Sequence, residues 1–323
     1  MFDLHYDLLT YIYANRKNLK VVKKHCKKIF NNNIGGGIFN LFYMSPNEMK
    51  EELGIEKEEI NILQNLKTAD RLIKENKLIP RNIKYIYGIE GLDYLNKIDD
   101  LEEIYKLGVR SVNIVWNNDN KFGGGVRGNK NRGLTILGKE LVKELINKNI
   151  AIDLSHSNEK TFYDIIKICK EQKNKGKKPI VIASHSNIKD ICNVPRNLTC
   201  DQIIKIKSLD GIIGIVGVKP FCLETKKEVK IIRNKYNLEY KNAYIKHIIY
   251  LKKLLGSVDN IGVATDDMTY YKTNKKYYKH YNVFKQEQIK KELEQLLLEN
   301  NFTIQEIEKI MYLNFENKIL GKL

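Results

Sequence analysis

Short apolar runs alternate with amphipathic segments of helix length along the whole chain of 323 residues. Most of the runs are almost continuously apolar, which is typical of parallel strands that are buried on both faces. The predicted strands span residues 2–9, 37–44, 83–90, 111–117, 151–156, 179–185, 211–218 and 261–267. Because a helical pattern follows most of these runs, the chain predicts repeated β–α units.

Several of the intervening segments begin with the spacing of a helix capping box. The segments are Ser45-Pro46-Asn47-Glu48, Thr199-Cys200-Asp201-Gln202 and Thr303-Ile304-Gln305-Glu306. Eight β–α units in a chain of this length predict an α/β fold, the (β/α)₈ or TIM barrel, as a single domain over residues 1–323. A doubly wound sheet is the alternative fold, but no Gly-rich dinucleotide turn follows the first strand.

Two glycine triplets, Gly35-Gly36-Gly37 and Gly123-Gly124-Gly125, stand out in the loops. Neither has the GK[ST] ending of a phosphate-binding loop, and the first leads into a strand instead of a helix. We therefore expect both triplets to be flexible loops.

Five side chains that can bind metal lie at or near the ends of predicted strands: His5, Asp7, Glu90, His156 and His185. Strand alternation places the first two on one face. In a TIM barrel the carboxyl ends of the strands surround the active site. Imidazole and carboxylate together suit Zn²⁺ or a similar first-row metal. The pattern therefore predicts a catalytic metal centre at the barrel mouth.

A ligand set that includes Glu90 suits two metals sharing a carboxylate and a water, which is a site for hydrolysis of an amide, ester or phosphate bond. Asp266 ends the eighth predicted strand at the same mouth, where a carboxylate can accept and return a proton. Asp3 and Asp153 either orient ligand imidazoles or are ordinary polar residues at strand ends.

The remaining histidines, His25, His247 and His280, are not expected to bind metal. They lie in a basic helical segment, in mid-helix and in a loop rich in Tyr and Lys. That loop, residues 270–281, is predicted to cover the barrel mouth and to form part of the substrate pocket.

The net charge of +17 would suit a nucleic-acid partner. The lysines are nevertheless spread along the chain, so nucleic-acid binding is not expected as the main function. We expect no signal peptide and no membrane span. Five cysteines without a CxxC pattern fit reduced thiols, and we expect a cytoplasmic location.

In order and context, these residues resemble the membrane (renal) dipeptidase family, a branch of the metal-dependent amidohydrolase-like barrels. The resemblance extends over nearly the whole chain. It is carried by Asp3-Leu4-His5-Tyr6-Asp7, Gly88-Ile89-Glu90-Gly91, Asp153-Leu154-Ser155-His156, Ser184-His185-Ser186, Arg196-Asn197-Leu198, Asp210-Gly211-Ile212-Ile213-Gly214 and the strand that ends at Asp266.

The resemblance implies two zinc ions per chain. By it, His5 and Asp7 bind one ion, His156 and His185 bind the other, and Glu90 bridges them. The implied reaction is hydrolysis of the amide bond of a short peptide through a metal-bridging hydroxide. The implied partner is a dipeptide or a similar small molecule, with a homodimer left open.

The resemblance also assigns roles to residues around the metals. Asp266 matches the acid/base aspartate, and Arg196 matches the arginine that holds the C-terminal carboxylate of the substrate, for which a planar bidentate donor is suited. Trp116 replaces a histidine that contacts the substrate in the animal enzymes, so transition-state stabilisation must differ or be weaker. Val218 replaces an aromatic segment, which leaves the carboxylate pocket to Arg196, with Lys219 as a second candidate.

Two other functions remain open from the sequence alone. One is a related barrel amidohydrolase or lactonase that acts on another carboxylate-bearing substrate. The other is a barrel that binds metal and ligand without turnover, an alternative that Trp116 keeps open.

Overall fold

The computed structural model describes residues 1–32, 34–42, 61–93, 95, 97–223, 237–267, 282–284 and 288–323. In this part of the chain, parallel strands form a closed barrel in the order β1 to β8, and β8 pairs with β1. The strands are β1 (Phe2–Tyr6), β2 (Gly36–Phe42), β3 (Lys84–Glu90), β4 (Val109–Asn113), β5 (Ala151–Asp153), β6 (Val181–Ala183), β7 (Ile212–Val216) and β8 (Ile261–Ala264). The predicted α/β TIM barrel is confirmed.

Helices surround the barrel, and their apolar faces pack against the outside of the strands. Those described are α1 (Leu8–Ala14), α2 (Leu19–Asn32), α3 (Ile62–Asn76), α4 (Leu101–Lys106), α5 (Ile136–Asn147), α6 (Glu159–Asn174), α7 (Cys200–Ser208), α8 (Lys219–Cys222), α9 (Asn237–Leu255), α10 (Ile289–Glu299), α11 (Ile304–Glu308) and α12 (Asn314–Lys318). Short 3₁₀ segments at Ile98–Asp100 and Leu320–Lys322 and a π-helical turn at Lys309–Leu313 complete the described helical elements.

Two of the predicted capping boxes form as expected. Thr199 begins α7 and Thr303 begins α11, and each exchanges hydrogen bonds with the residue three positions later. These bonds satisfy backbone N–H groups that have no partner inside the helix. The third predicted box, at Ser45, lies outside the described residues.

Several strands end earlier than predicted because the chain turns away from the barrel at the residues that form the mouth. β5 ends at Asp153, and β6 ends at Ala183. His156 lies beyond the end of its strand with a left-handed backbone, at φ 70°. His156 and His185 therefore belong to loops at the carboxyl end of the barrel.

The expectation of a flexible loop is wrong for the first glycine triplet, whereas the second does lie in a loop. Gly37 belongs to β2, and a Cβ atom there would lie 1.9 Å from the carbonyl oxygen of Asp3. Its φ of 138° is also unfavourable for other residues. In the second triplet, Gly124 donates its N–H to Thr161 and Gly125 pairs with Ser157. Both triplets allow backbones to approach closely.

Replacing Gly37 with alanine should therefore destabilise the barrel strongly. The clash and the backbone strain should each cost about 1–3 kcal/mol. Gly176 is a matched control, because its φ is 82° and nothing lies within 4 Å of an added Cβ. Gly176→Ala should cost only the left-handed strain of about 1–2 kcal/mol. Urea unfolding of both variants measures the difference, and equal losses would contradict this packing.

Candidate metal centre

The closed barrel brings the five predicted metal ligands together. His5 lies in β1, Glu90 is the last residue of β3, and Asp7 immediately precedes α1. His156 and His185 follow β5 and β6. All five are buried; His156, the most exposed of them, is 7% exposed. Since the strands are parallel, these positions lie at the same end of the barrel.

Glu90 lies at the centre of the cluster. Its Oε1 atom is 2.7 Å from Nε2 of His156 and 3.3 Å from Nε2 of His185. Its Oε2 atom is 3.4 Å from Nε2 of His5, and that nitrogen is 3.8 Å from Oδ1 of Asp7. The ligand atoms thus form two groups, His5–Asp7–Glu90 and Glu90–His156–His185. Each carboxylate oxygen of Glu90 faces one group.

The geometry of these nitrogens fits a bound cation. Nε2 of His5 is buried and has no hydrogen-bond partner among the described residues, although two carboxylates flank it. The Nε2 atoms of His156 and His185 face each other at 2.9 Å. Imidazole nitrogens that converge on a carboxylate in this way suit Zn²⁺ or a similar metal.

The electrostatics of the site also favour a cation. Although burial opposes ionisation, His5 and His156 keep the pKa of Glu90 well below its usual range. Burial likewise opposes a charge on His5, but Glu90, Asp7 and Asp266 outweigh it and raise its pKa to about 10. Burial, with a contribution from Arg196, lowers the pKa of His156 to about 3. The negative potential that favours a proton beside His5 favours a metal there as well.

Two polar residues that the sequence did not single out for this role hold the ligand imidazoles. Oδ1 of Asn117 lies 2.9 Å from Nδ1 of His156. The hydroxyl of Ser184 lies 3.1 Å from Nδ1 of His5 and 2.7 Å from Nδ1 of His185. Such partners orient ligand rings and fix the atom that faces the metal.

Asp3 and Asp153, for which the sequence left two roles open, act in different ways. Asp3 accepts the backbone N–H groups of His5 at 3.1 Å and Thr265 at 2.9 Å, so it ties β1 to β8. Asp153 accepts the hydroxyl proton of Ser184 and reaches the imidazoles through it. Asp153 also forms a third metal-capable group with His5 and His185. The Ser184 hydroxyl is hydrogen-bonded to all three residues, so it already holds this group together.

Asp266 follows β8 at the barrel mouth. Its φ is 46°, and its backbone N–H donates to the carbonyl oxygen of His5 at 3.0 Å. Asp266 as a whole residue is partly exposed, whereas its carboxyl group lies among buried groups. Burial raises its pKa to about 6; His5 and Arg196 oppose the rise, and Glu90 adds to it. A carboxyl group with such a pKa is suited to proton transfer near neutral pH.

Arg196 and Trp116 lie beside the ligands of the second group. Nη2 of Arg196 is 3.4 Å from the carbonyl oxygen of His185, and its guanidinium carbon is 5.4 Å from the centre of the Phe221 ring. The Trp116 ring is 5.8 Å from the His156 ring and 4.9 Å from the Phe42 ring. A cation and an aromatic wall therefore flank the centre.

A buried polar network supports the loop that carries Arg196. Asn197 donates to the carbonyl oxygens of Cys192 and Phe221. His247 accepts the N–H of Ile188 at Nδ1, while its Nε2 lies 3.0 Å from the carbonyl oxygen of Cys222. His247 is therefore a fully buried packing residue and not a surface residue.

Lys219, a second candidate for the carboxylate pocket, and His25, which was not expected to bind metal, have partners outside the centre. The ammonium of Lys219 lies 5.3 Å from the ring of Tyr240, on α9. Nε2 of His25 is 2.7 Å from the hydroxyl of Tyr6, and its ring stacks on Tyr11. The predicted cover, residues 270–281 with His280, lies outside the described residues. The five cysteines all lie in the described part of the chain, and none of them forms a disulfide.

Comparison with known proteins decides the family. The sequence model of the membrane dipeptidase family, peptidase family M19, matches residues 1–319. The chain belongs to this family. The earlier resemblance to this family is therefore confirmed. In the described part of the chain, no helix has the length and apolar character needed to cross a membrane.

Curated relatives match over part of their length. An uncharacterised Klebsiella pneumoniae protein from the pqqA 5′ region is 30% identical over 199 residues, covering 60% of this chain and 66% of the relative. An uncharacterised dipeptidase of Schizosaccharomyces pombe is 27% identical over 188 residues, covering 57% and 42%. The alignments thus span less than two thirds of either relative.

Solved structures share the fold over almost their whole length. A metallopeptidase from Rhodobacter sphaeroides, bound to a phosphinate mimic of the dipeptide L-Ala-D-Ala, has a TM-score of 0.74 at 19% identity. The match covers 100% of this chain and 99% of that one. The probable dipeptidase PvdM from Pseudomonas aeruginosa has a TM-score of 0.68 at 15% identity, with 92% and 89% covered.

If Glu90 serves both ligand groups, Glu90→Ala should abolish tight metal binding at both. Asp70→Ala is a matched control, because Asp70 is also a buried carboxylate but bonds to Tyr87 and Lys74 on the outside of the barrel. Metal analysis after dialysis of each folded variant makes the comparison. A Glu90→Ala protein that keeps the full metal content of the parent would contradict the shared carboxylate.

Proposed function

We propose that this protein is a dipeptidase that uses two zinc-class ions sharing Glu90. The observation that carries the proposal is the Glu90 carboxylate, whose two oxygens face two separate groups of buried ligands. His5 and Asp7 would hold one ion, and His156 and His185 would hold the other. When bound, such a pair of ions lowers the pKa of water and polarises a carbonyl group.

In this proposal Asp266 moves the proton. It accepts a proton from the attacking water, whose oxygen forms a bond to the carbonyl carbon of the substrate. It then gives the proton to the leaving nitrogen as the C–N bond breaks, so the products are a carboxylic acid group and an amine. Its place beside His5 and its raised pKa support this role.

Arg196 supplies recognition of the substrate. Its positive charge adds to the lowering of the pKa of His156 and His185 by burial, and it opposes the rise in the pKa of Asp266. The charge of Arg196 therefore acts on the centre. A guanidinium can hold a carboxylate through two parallel hydrogen bonds. We infer that Arg196 binds the free C-terminal carboxylate of the substrate.

Trp116 and Phe42 form an apolar wall next to His156. An indole ring can neither donate a proton as an acid nor carry a positive charge, so Trp116 brings no positive charge to the developing negative charge on the substrate. The dipeptide mimic bound to the Rhodobacter sphaeroides relative supports a dipeptide as the substrate class.

A hydrolysis screen of the zinc-loaded protein tests the proposal against its alternatives. Release of free amino acids from dipeptides supports it. Cleavage confined to lactones or to other amides would point to a related amidohydrolase, and binding without cleavage of any of them would point to a barrel without turnover.

Asp266→Asn should separate chemistry from metal binding. The amide preserves the shape of the side chain but cannot accept the proton, so kcat should fall by about 10²- to 10⁴-fold. The metal content should stay at the level of the parent, unlike that of Glu90→Ala. Loss of metal together with activity would show that Asp266 is a ligand and not a proton carrier.

Recognition of the substrate's carboxylate can be tested by changing either the substrate or Arg196. Charge-assisted contacts contribute about 1.5–3 kcal/mol, or about ten- to a hundredfold in kcat/KM. C-terminally amidated dipeptides should therefore be poor substrates of the parent, and Arg196→Ala should narrow the gap between free and amidated forms. Arg196→Lys keeps the positive charge but loses the planar pair of hydrogen-bond donors, so kcat/KM should still fall substantially. Equal cleavage of both forms by the parent would contradict the role of Arg196.

A further inference from the structure

The hydroxyl of Ser184 connects two of the three ligand imidazoles to one carboxylate. It is hydrogen-bonded to Nδ1 of His5 and Nδ1 of His185, and it donates its proton to Oδ2 of Asp153. Ser184 is 1% exposed, so these contacts are sheltered from bulk water. Ser184 follows β6, and its hydroxyl reaches Nδ1 of His5, which is 179 positions away in the sequence.

The donors and acceptors around this hydroxyl can be counted. Oδ1 of Asp153 accepts the backbone N–H groups of Ser155 and Ser184, both at 3.0 Å, and Oδ2 accepts the hydroxyl proton. A hydroxyl has one proton and two lone pairs. Because the proton goes to Asp153, the lone pairs remain for two N–H donors. His5 and His185 must then each carry a proton on Nδ1.

We propose that Ser184 is a positioning residue that holds His5 and His185 with Nδ1 protonated and with the Nε2 lone pair directed at Glu90. One hydroxyl thereby prepares a ligand in each of the two groups. Asn117 performs the same task for His156 alone. This inference deepens the proposed function and rests on its two-ion centre.

Ser186 provides a matched control for Ser184. The two serines flank His185, and both are 1% exposed. The hydroxyl of Ser186 lies 3.2 Å from that of Ser155. Loss of the Ser186 hydroxyl removes a buried polar group of the same kind without removing the contact to Nδ1 of His5 or His185.

The first experiment measures zinc affinity by competition with a chromophoric chelator. Loss of a partner that orients a ligand weakens metal binding by about 10- to 100-fold. Ser184→Ala should show this loss for both ions, Asn117→Ala for one ion, and Ser186→Ala for neither. Ser184→Thr, which keeps the hydroxyl, should recover most of the affinity. The proposal would be overturned if Ser184→Ala bound both ions as tightly as Ser186→Ala does. It would also be overturned if Ser184→Ala lost affinity for only one of the two ions.

The second measurement is independent of how the variants fold. In the zinc-loaded parent labelled with ¹⁵N-histidine, NMR should show protonated Nδ1 atoms for His5 and His185, with slow proton exchange. Coordination through Nδ1 of either residue would overturn the role of Ser184. If the parent binds one ion only, the two-ion proposal fails, while the state of Nδ1 still decides the inference on Ser184.

Discussion

The burial of one carboxylate, that of Glu90, is the constraint on which the site depends. A buried carboxylate is costly unless positive charge or hydrogen-bond donors compensate it. Here the compensation comes from three imidazoles that converge on it from β1, β5 and β6. Burial also lowers the pKa of two of those imidazoles, His156 and His185, and a neutral imidazole is the form that binds metal. Such an arrangement is complete when cations lie between the carboxylate and the rings.

The barrel makes this convergence possible. Parallel strands bring residues from distant parts of the chain to one end, and hydrogen bonds between neighbouring strands fix their positions. Asp3 joins β1 to β8 through the N–H of Thr265, and Asp153 joins β5 to β6 through the N–H of Ser184. The two aspartates thus perform equivalent structural work on opposite parts of the ring. At Gly37 the absence of a side chain allows the backbone of β2 to lie close to that of β1.

Much of this could be predicted from the sequence. Apolar runs that close with His or Glu predicted both the strands and the ligands, because in parallel strands the pattern of burial and the position of the site are linked. Asn117 and Ser184 could not be assigned their roles, since each contacts a ligand histidine that is distant in sequence. The prediction for the first glycine triplet was wrong because composition alone does not distinguish a mobile loop from a close backbone approach.

Anomalous X-ray diffraction at the zinc absorption edge, from crystals of the zinc-loaded protein, tests the central claim most directly. The shared carboxylate predicts two peaks about 3.5–4 Å apart, each beside a different oxygen of Glu90. One peak should be ligated by His5 and the other by His156 and His185. A single peak, or two peaks without Glu90 between them, would contradict the account.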